Sequence, residues 1–235
     1  MMGPVWMVLR ARAEFWDRVS GERRLGDLIG ALLAFIVVSS AVYGAILAGW
    51  RSGLLSLYVA VKLPGLMVGT TSLVMVLNWM SALAAGSGLS FRQVVAVTYG
   101  AMAVACWILL SLAPVTAFFT FGAAGDGGSP EALRLAHNHL LLMHVTLIAF
   151  AGVAGNAALR QGLSRVVRPG ASAGRIYWGW LVAFAVVGCQ LSWILRPFVG
   201  SPFYEVRFMR PDALDRNFFE FVLLEVLPYA LKGGD

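Results

Sequence analysis

The chain has 235 residues, of which 59% are hydrophobic and only 13% are charged. Since roughly a quarter of the residues of a soluble domain are charged, this composition excludes an ordinary soluble protein and predicts an all-α, polytopic integral membrane protein. The net charge of +6 comes mainly from arginine beside apolar runs, which is typical of contact with membrane lipids and argues against a nucleic-acid partner.

The N-terminal segment, residues 1–27, contains a predicted amphipathic helix over 4–24. Its apolar residues recur at helical spacing, at Val5, Val8, Leu9, Phe15, Trp16 and Val19. Arg12 interrupts this apolar face. We expect the helix to lie in the plane of the lipid headgroups. The segment lacks the short apolar core and cleavage site of a signal peptide, so we expect no processing.

Residues 28–195 form the predicted membrane domain, whose spans are long enough to cross about 30 Å of hydrocarbon. Five spans are expected, at 28–50, 64–84, 93–119, 135–159 and 176–195. Lys62 separates the second span from a short interfacial helix predicted over 54–61. Pro64 suits the first position of the second span, because the N–H that proline lacks would be unpaired there.

Arginine is distributed unevenly between the two ends of the predicted spans. A cytoplasmic N-terminus places five basic residues before the first span, Arg92 after the second, and a four-arginine loop over 160–175 on the same side. The other side receives Arg51, Lys62 and a glycine-rich loop with Asp126. This positive-inside pattern predicts a bacterial inner-membrane protein with a cytoplasmic N-terminus and a periplasmic C-terminal tail.

Two histidines of the predicted fourth span, His137 and His144, share one helix face. Imidazole on a membrane helix can ligate haem or chlorophyll, and His144 lies deeper in the span. A metal site usually needs more ligands, and only His139 remains as a further histidine. We therefore predict no cofactor and no metal, and expect interhelical hydrogen bonds or a place at the interface. Haem or chlorophyll held by His144 is the alternative.

Uncharged polar residues occur in or near three spans, at Asn78, Asn156 and Gln190. Polar side chains in a membrane face neighbouring helices and hydrogen-bond there, which favours a packing role over the alternative of lining a substrate path. No acidic or basic residue occupies the middle of a predicted span, which argues against an ion-driven transporter. No catalytic motif is present, so we expect no enzyme.

Residues 196–235 form a predicted tail on the outer face. The fifth span should end at Arg196 and Pro197, because proline removes a backbone donor, and Asp215 or Asn217 should cap a short apolar helix. We predict that the tail docks a partner or the membrane surface. The residues expected to do so are Arg196, Pro197, Phe198, Gly200, Pro202, Asn217, Phe218 and Glu220.

Several segments carry a resemblance to a known group of proteins. They are KLPGLMVGTTSLVMVLNWMSALAAGSGLSFRQVVAV (62–97), SLAP (111–114), QLSWILRPFVGSP (190–202) and NFFEFV (217–222). This pattern resembles an uncharacterised family of bacterial multi-span membrane proteins that is distantly similar to the Yip1 group. The resemblance implies a five-helix membrane domain with a cytoplasmic N-terminus and a role as a scaffold or membrane organiser. It implies no catalytic residue.

Three functions follow as hypotheses. The first is a non-enzymatic membrane subunit that scaffolds a larger assembly of membrane proteins through its N-terminal helix and its tail. The second is a pigment- or haem-binding subunit of a light-harvesting or electron-transfer complex that uses His144. The third is a permease for a small molecule or a lipid, lined by Asn78, Asn156 and Gln190.

Overall fold

The computed structural model describes residues 3–10, 12–123, 129–196, 199–200, 205–209, 211–215 and 217–226. Two short helices come first, α1 (Pro4–Arg10) and α2 (Arg12–Ser20). Five long helices follow, α3 (Leu25–Ala48), α4 (Gly53–Ala84), α5 (Phe91–Gly122), α6 (Pro130–Val166) and α7 (Ala173–Leu195). The tail contains a 3-10 turn at Pro211–Leu214, one helical turn at Phe218–Phe221 and a π turn at Val222–Val226.

The predicted all-α, polytopic architecture is confirmed. The five long helices are each long and apolar enough to cross a membrane, and the described residues contain no strand. Predicted and observed membrane segments correspond one to one, although most of the helices extend beyond the predicted spans.

The five long helices form a bundle in which α3 packs along both α4 and α5. α7 packs against α4 and α6 packs against α5, while α6 and α7 contact each other only sparsely. The seam between α6 and α7 is therefore a loose side of the bundle, compared with the close contacts of α3 with α4 and α5. Because successive helices alternate in direction, the N-terminal helices, the turn at 85–90 and the loop at 167–172 share one end. We call this the arginine-rich end.

The second membrane helix differs from its predicted form, since α4 runs unbroken from Gly53 to Ala84. The separate interfacial helix predicted over 54–61 and the predicted start at Pro64 are therefore wrong. Ser52 caps the first turn through its hydroxyl oxygen. Residues on both sides of Pro64 then pack against α3, and this packing outweighs the backbone hydrogen bond that proline loses.

Lys62 thus lies inside a membrane helix, which the predicted span boundaries had not anticipated. Its side chain is buried, and its Nζ lies over the ring of Phe208, 5.1 Å from the ring centroid. A cation over an aromatic face is stabilised by the ring quadrupole. The C-terminal tail therefore covers the charged Lys62 side chain, which had suggested a break between two helices in the sequence.

The N-terminal helices pack against the arginine-rich end of the bundle. Phe15, Trp16 and Val19 of α2 are buried, as the predicted apolar face requires. Glycines on α5 and α6 make room for them, since a Cβ on Gly100 would lie 2.8 Å from the Phe15 ring and one on Gly162 would lie 2.5 Å from the Trp16 ring. The expectation of a helix resting on lipid headgroups needs correction, because protein covers its apolar face.

Candidate functional site: an interhelical crevice

A crevice of about 110 Å³ lies between α4, α5, α6 and α7. Its polar lining consists of Asn78, Thr98, Asn156 and Trp180, and the remaining lining is apolar or glycine. Two of the three polar residues singled out in the sequence, Asn78 and Asn156, therefore meet at one site. They come from different helices, α4 and α6.

Small residues on α6 determine the shape of the crevice. A Cβ on Gly155 would lie 3.1 Å from the Ala101 carbonyl oxygen and 3.2 Å from the Ala105 Cβ, so α5 and α6 approach closely there. On the other side, the Trp180 indole donates a 2.9 Å hydrogen bond to the Asn78 carbonyl oxygen and ties α7 to α4. The crevice is the space left between these two tight helix pairs.

The side-chain oxygen of Asn78 is exceptional among the polar atoms of the crevice. Asn78 is 2% exposed, and its Oδ1 has no hydrogen-bond partner among the described residues. By contrast, the Asn156 amide donates to the Gly152 carbonyl at 2.9 Å, and the Thr98 hydroxyl donates to the Val94 carbonyl at 2.8 Å. An unpaired buried polar group costs about 1–3 kcal/mol. A ligand that donates a hydrogen bond would remove that cost.

Gln190 does not reach the crevice. It lies near the C-terminal end of α7, where its Oε1 accepts a 3.0 Å hydrogen bond from the Phe218 backbone N–H. This bond joins the fifth membrane helix to the tail. Its role in the structure is therefore to hold the tail.

His144 forms a buried hydrogen-bond bridge between three helices. Its Nδ1 lies 2.9 Å from the Tyr43 hydroxyl oxygen on α3, and its Nε2 lies 3.2 Å from the Thr120 hydroxyl oxygen on α5. Both ring nitrogens are engaged in interhelical hydrogen bonds, as expected from the sequence. Ligation of haem or chlorophyll would require one of these bonds to break.

His137 lies two turns away from His144, toward the N-terminal end of α6. Its ring packs near Trp50 with centroids 5.7 Å apart, and its Nδ1 is buried without a hydrogen-bond partner in the described part of the chain. The two histidines do not converge on one point. Among the described residues no cluster of three or more His, Cys, Asp or Glu side chains could hold a metal ion.

Several of the tail residues that are expected to dock a partner contact this chain. Arg196 ends α7 in a left-handed conformation (φ 41°), donates its backbone N–H to the Ser192 carbonyl at 2.8 Å, and places its guanidinium over the Trp193 ring. Phe218 also packs against Trp193, at 6.5 Å between ring centroids. Gly200 lies directly against Leu55.

Asn217 and Glu220 cap the helical turn at Phe218–Phe221. The Asn217 side chain accepts from the Glu220 backbone N–H at 2.8 Å, and Glu220 accepts from the Asn217 backbone N–H at 3.2 Å. These two residues therefore stabilise local structure. Pro197, Phe198 and Pro202 lie outside the described residues.

Comparison of the chain with protein-family models, with curated proteins and with solved structures found no match. The crevice and its contacts are therefore the basis for any functional proposal. Sequence reasoning missed three residues that shape these contacts, Tyr43, Thr120 and Trp180. A tyrosine in the middle of an apolar span is a signal that could have led to Tyr43. The pairing of Trp180 with Asn78 spans 102 positions and has no local signal.

Replacement of His144 by alanine tests the bridge against the cofactor alternative. The variant should lose about 1–2 kcal/mol of unfolding free energy, because two interhelical hydrogen bonds disappear. Unfolding of the purified protein in mixed micelles measures this loss. His139→Ala, at an exposed position on the same helix, is the control and should unfold like the wild type. A visible absorbance band that His144→Ala abolishes would instead establish a cofactor ligand.

Proposed function

We propose that this chain is a non-enzymatic membrane protein that binds a membrane lipid, with the polar linker region of the lipid held in the crevice. This proposal develops the third of the sequence-based hypotheses, a permease for a small molecule or a lipid, but it proposes lipid binding rather than transport. The observation that carries it is the unpaired, buried side-chain oxygen of Asn78 at the crevice.

The chemistry of the lining favours the linker region of a lipid. The unpaired oxygen of Asn78 can accept a hydrogen bond from a hydroxyl group of a lipid, and the amide of Asn156 can donate one to an ester carbonyl next to the chains. The walls around them are mostly apolar. Ions and strongly polar solutes would lose their hydration there without enough replacement partners.

The size and position of the crevice favour a ligand that enters only in part. A volume of about 110 Å³ is smaller than the engineered cavity of about 150 Å³ that binds benzene, so a whole lipid cannot be enclosed. The loose seam between α6 and α7 offers lateral access from the bilayer. The acyl chains would remain in the membrane along this seam while the linker reaches the two amides.

Replacement of Asn78 by leucine separates ligand binding from packing. The variant should retain roughly three- to tenfold less co-purified lipid, since one hydrogen bond of about 0.5–1.5 kcal/mol is lost. It should also be more stable than the wild type when lipid-free, because an unpaired buried amide disappears. Native mass spectrometry measures the lipid, and thermal unfolding after delipidation measures the stability.

Thr70→Val is the matched control for this experiment. Thr70 also carries a buried hydroxyl without a partner among the described residues, but it does not line the crevice. The control should gain stability and keep its lipid. If Asn78→Leu is less stable and retains wild-type amounts of lipid, Asn78 is a packing residue and the lipid proposal fails.

We also propose that the protein resides in a bacterial inner membrane with its N-terminus and the arginine-rich end in the cytoplasm. The support is the accumulation of arginine at that end. In a variant without native cysteines, Glu131→Cys should react with a membrane-impermeant maleimide in spheroplasts, and Pro169→Cys should react only after lysis. The opposite labelling pattern would invert the orientation.

A second proposed function is that of a subunit in a larger membrane assembly. It is favoured by the outer tail, which presents Phe219, Leu223 and Leu224 with 39%, 60% and 73% of their surface exposed. The double replacement Leu223→Ser and Leu224→Ser should release the chain from its complex on native gels of solubilised membranes. Its lipid content should not change. A wild-type chain that already migrates alone would refute this proposal and leave the lipid proposal intact.

A further inference from the structure

The seam between α6 and α7 continues from the crevice into an open groove of about 780 Å³. Arg12 of α2, Arg160 of α6 and Tyr177 of α7 line this groove. Asn156 and Leu181 line both the groove and the crevice. The two spaces therefore share walls, and one ligand can occupy both.

The arginines of the groove are not neutralised by the rest of the described chain. The ion pairs among the described residues are Arg24–Asp27 and Arg207–Glu205, and neither involves Arg12 or Arg160. Arg12 is the residue that interrupted the predicted apolar face of the N-terminal helix. Its exposed side chain on α2 adds a second positive charge to the one that α6 supplies.

Two guanidinium groups at one groove favour a phosphate. Arginine binds phosphate oxygens through paired N–H donors, and basic pockets between membrane helices at the cytoplasmic side bind anionic lipid headgroups. A free phosphate would use only the charged part of the groove. The groove is also lined by the apolar side chains of Leu181 and Val153, which favours a ligand with hydrocarbon attached.

The order of groups along α6 matches the order of groups in a phospholipid. Arg160 lies one helical turn, about 6 Å, from Asn156, and Asn156 leads to the crevice and Asn78. With a phosphate at the arginines, an ester carbonyl of the glycerol linker would lie at Asn156, whose amide can donate a hydrogen bond to it. The chains would then leave through the seam into the bilayer.

We propose that the groove binds the phosphate headgroup of an anionic phospholipid whose glycerol linker occupies the crevice. The inference rests on the proposed function and adds the class of lipid, with Arg12 and Arg160 as the residues that select it. A neutral lipid would lack a phosphate for the arginines. A zwitterionic phospholipid would offer its phosphate but would also bring a positive ammonium group beside the two guanidinium groups, and this repulsion weakens its binding.

The full chain, purified in detergent and delipidated, is offered an equimolar mixture of phosphatidylglycerol and phosphatidylethanolamine with identical chains. Native mass spectrometry then measures the ratio of the two bound lipids. The wild type should prefer phosphatidylglycerol. Replacement of Arg12 and Arg160 by glutamine should lower the preference roughly fivefold for each arginine removed.

The matched control is the double variant Arg165→Gln and Arg175→Gln. It removes the same charge from the same end, at exposed positions that do not line the groove. It should keep the wild-type preference. An equal loss in both double variants would show attraction by net charge alone and would overturn the assigned site, as would a wild type without preference.

Two further outcomes separate the possible failures. A wild type that retains both lipids equally contradicts the headgroup assignment but leaves lipid binding at Asn78 standing, whereas a wild type that retains neither lipid refutes the proposed function as well. Glycerol 3-phosphate is added as a competitor without chains. If it displaces phosphatidylglycerol as effectively as added phosphatidylglycerol does, the groove is a soluble-phosphate site and the lipid assignment fails.

Discussion

A polar group inside the hydrocarbon layer has no water to bond with, and this constraint accounts for many of the contacts inside the bundle. The hydroxyls of Ser40 and Thr71 return to carbonyl oxygens one turn earlier on their own helices, at 2.5 and 2.6 Å. His144 satisfies both ring nitrogens by bridging three helices. Against this background an unpaired amide oxygen at a crevice is unusual. That contrast makes Asn78 the residue on which the functional argument depends.

The packing of the bundle also depends on the close approach of helix backbones. Lipid is as apolar as the side chains, so helices associate through packing and benefit from small residues. A Cβ on Gly44 would lie 2.6 Å from the Val59 carbonyl oxygen, and Gly155 plays the same part between α6 and α5. The pairs α3–α4 and α5–α6 are tight for this reason. The looser contact of α6 with α7 leaves the space from which the crevice and the groove are formed.

The C-terminal tail depends on the membrane helices for its position. The Trp50 indole donates a 2.7 Å hydrogen bond to the Val199 carbonyl, and Gln190 holds the helical turn that begins at Phe218. The residues that looked like a docking motif in the sequence thus form an intramolecular contact. Any partner of the tail would meet the opposite, exposed apolar side chains.

The sequence by itself determined the membrane class, the five spans and the apolar face of the N-terminal helix. It also identified Arg196 as the end of the fifth span. These features depend on hydropathy, helical periodicity and proximity to helix ends, which are properties of short segments. The predicted boundary at Lys62 is wrong because it depends on more than a short segment. The Phe208 ring that covers the lysine lies far away in the sequence.

Only the tertiary structure decided that Asn78 and Asn156 share a crevice while Gln190 does not. Only the structure placed Arg12 and Arg160 at one groove. No short segment carries this information, because it depends on which faces of distant helices meet. Contacts such as Trp180 with Asn78 and His144 with Tyr43, each separated by about a hundred residues, determine that pairing, and side-chain shape rather than hydropathy selects them.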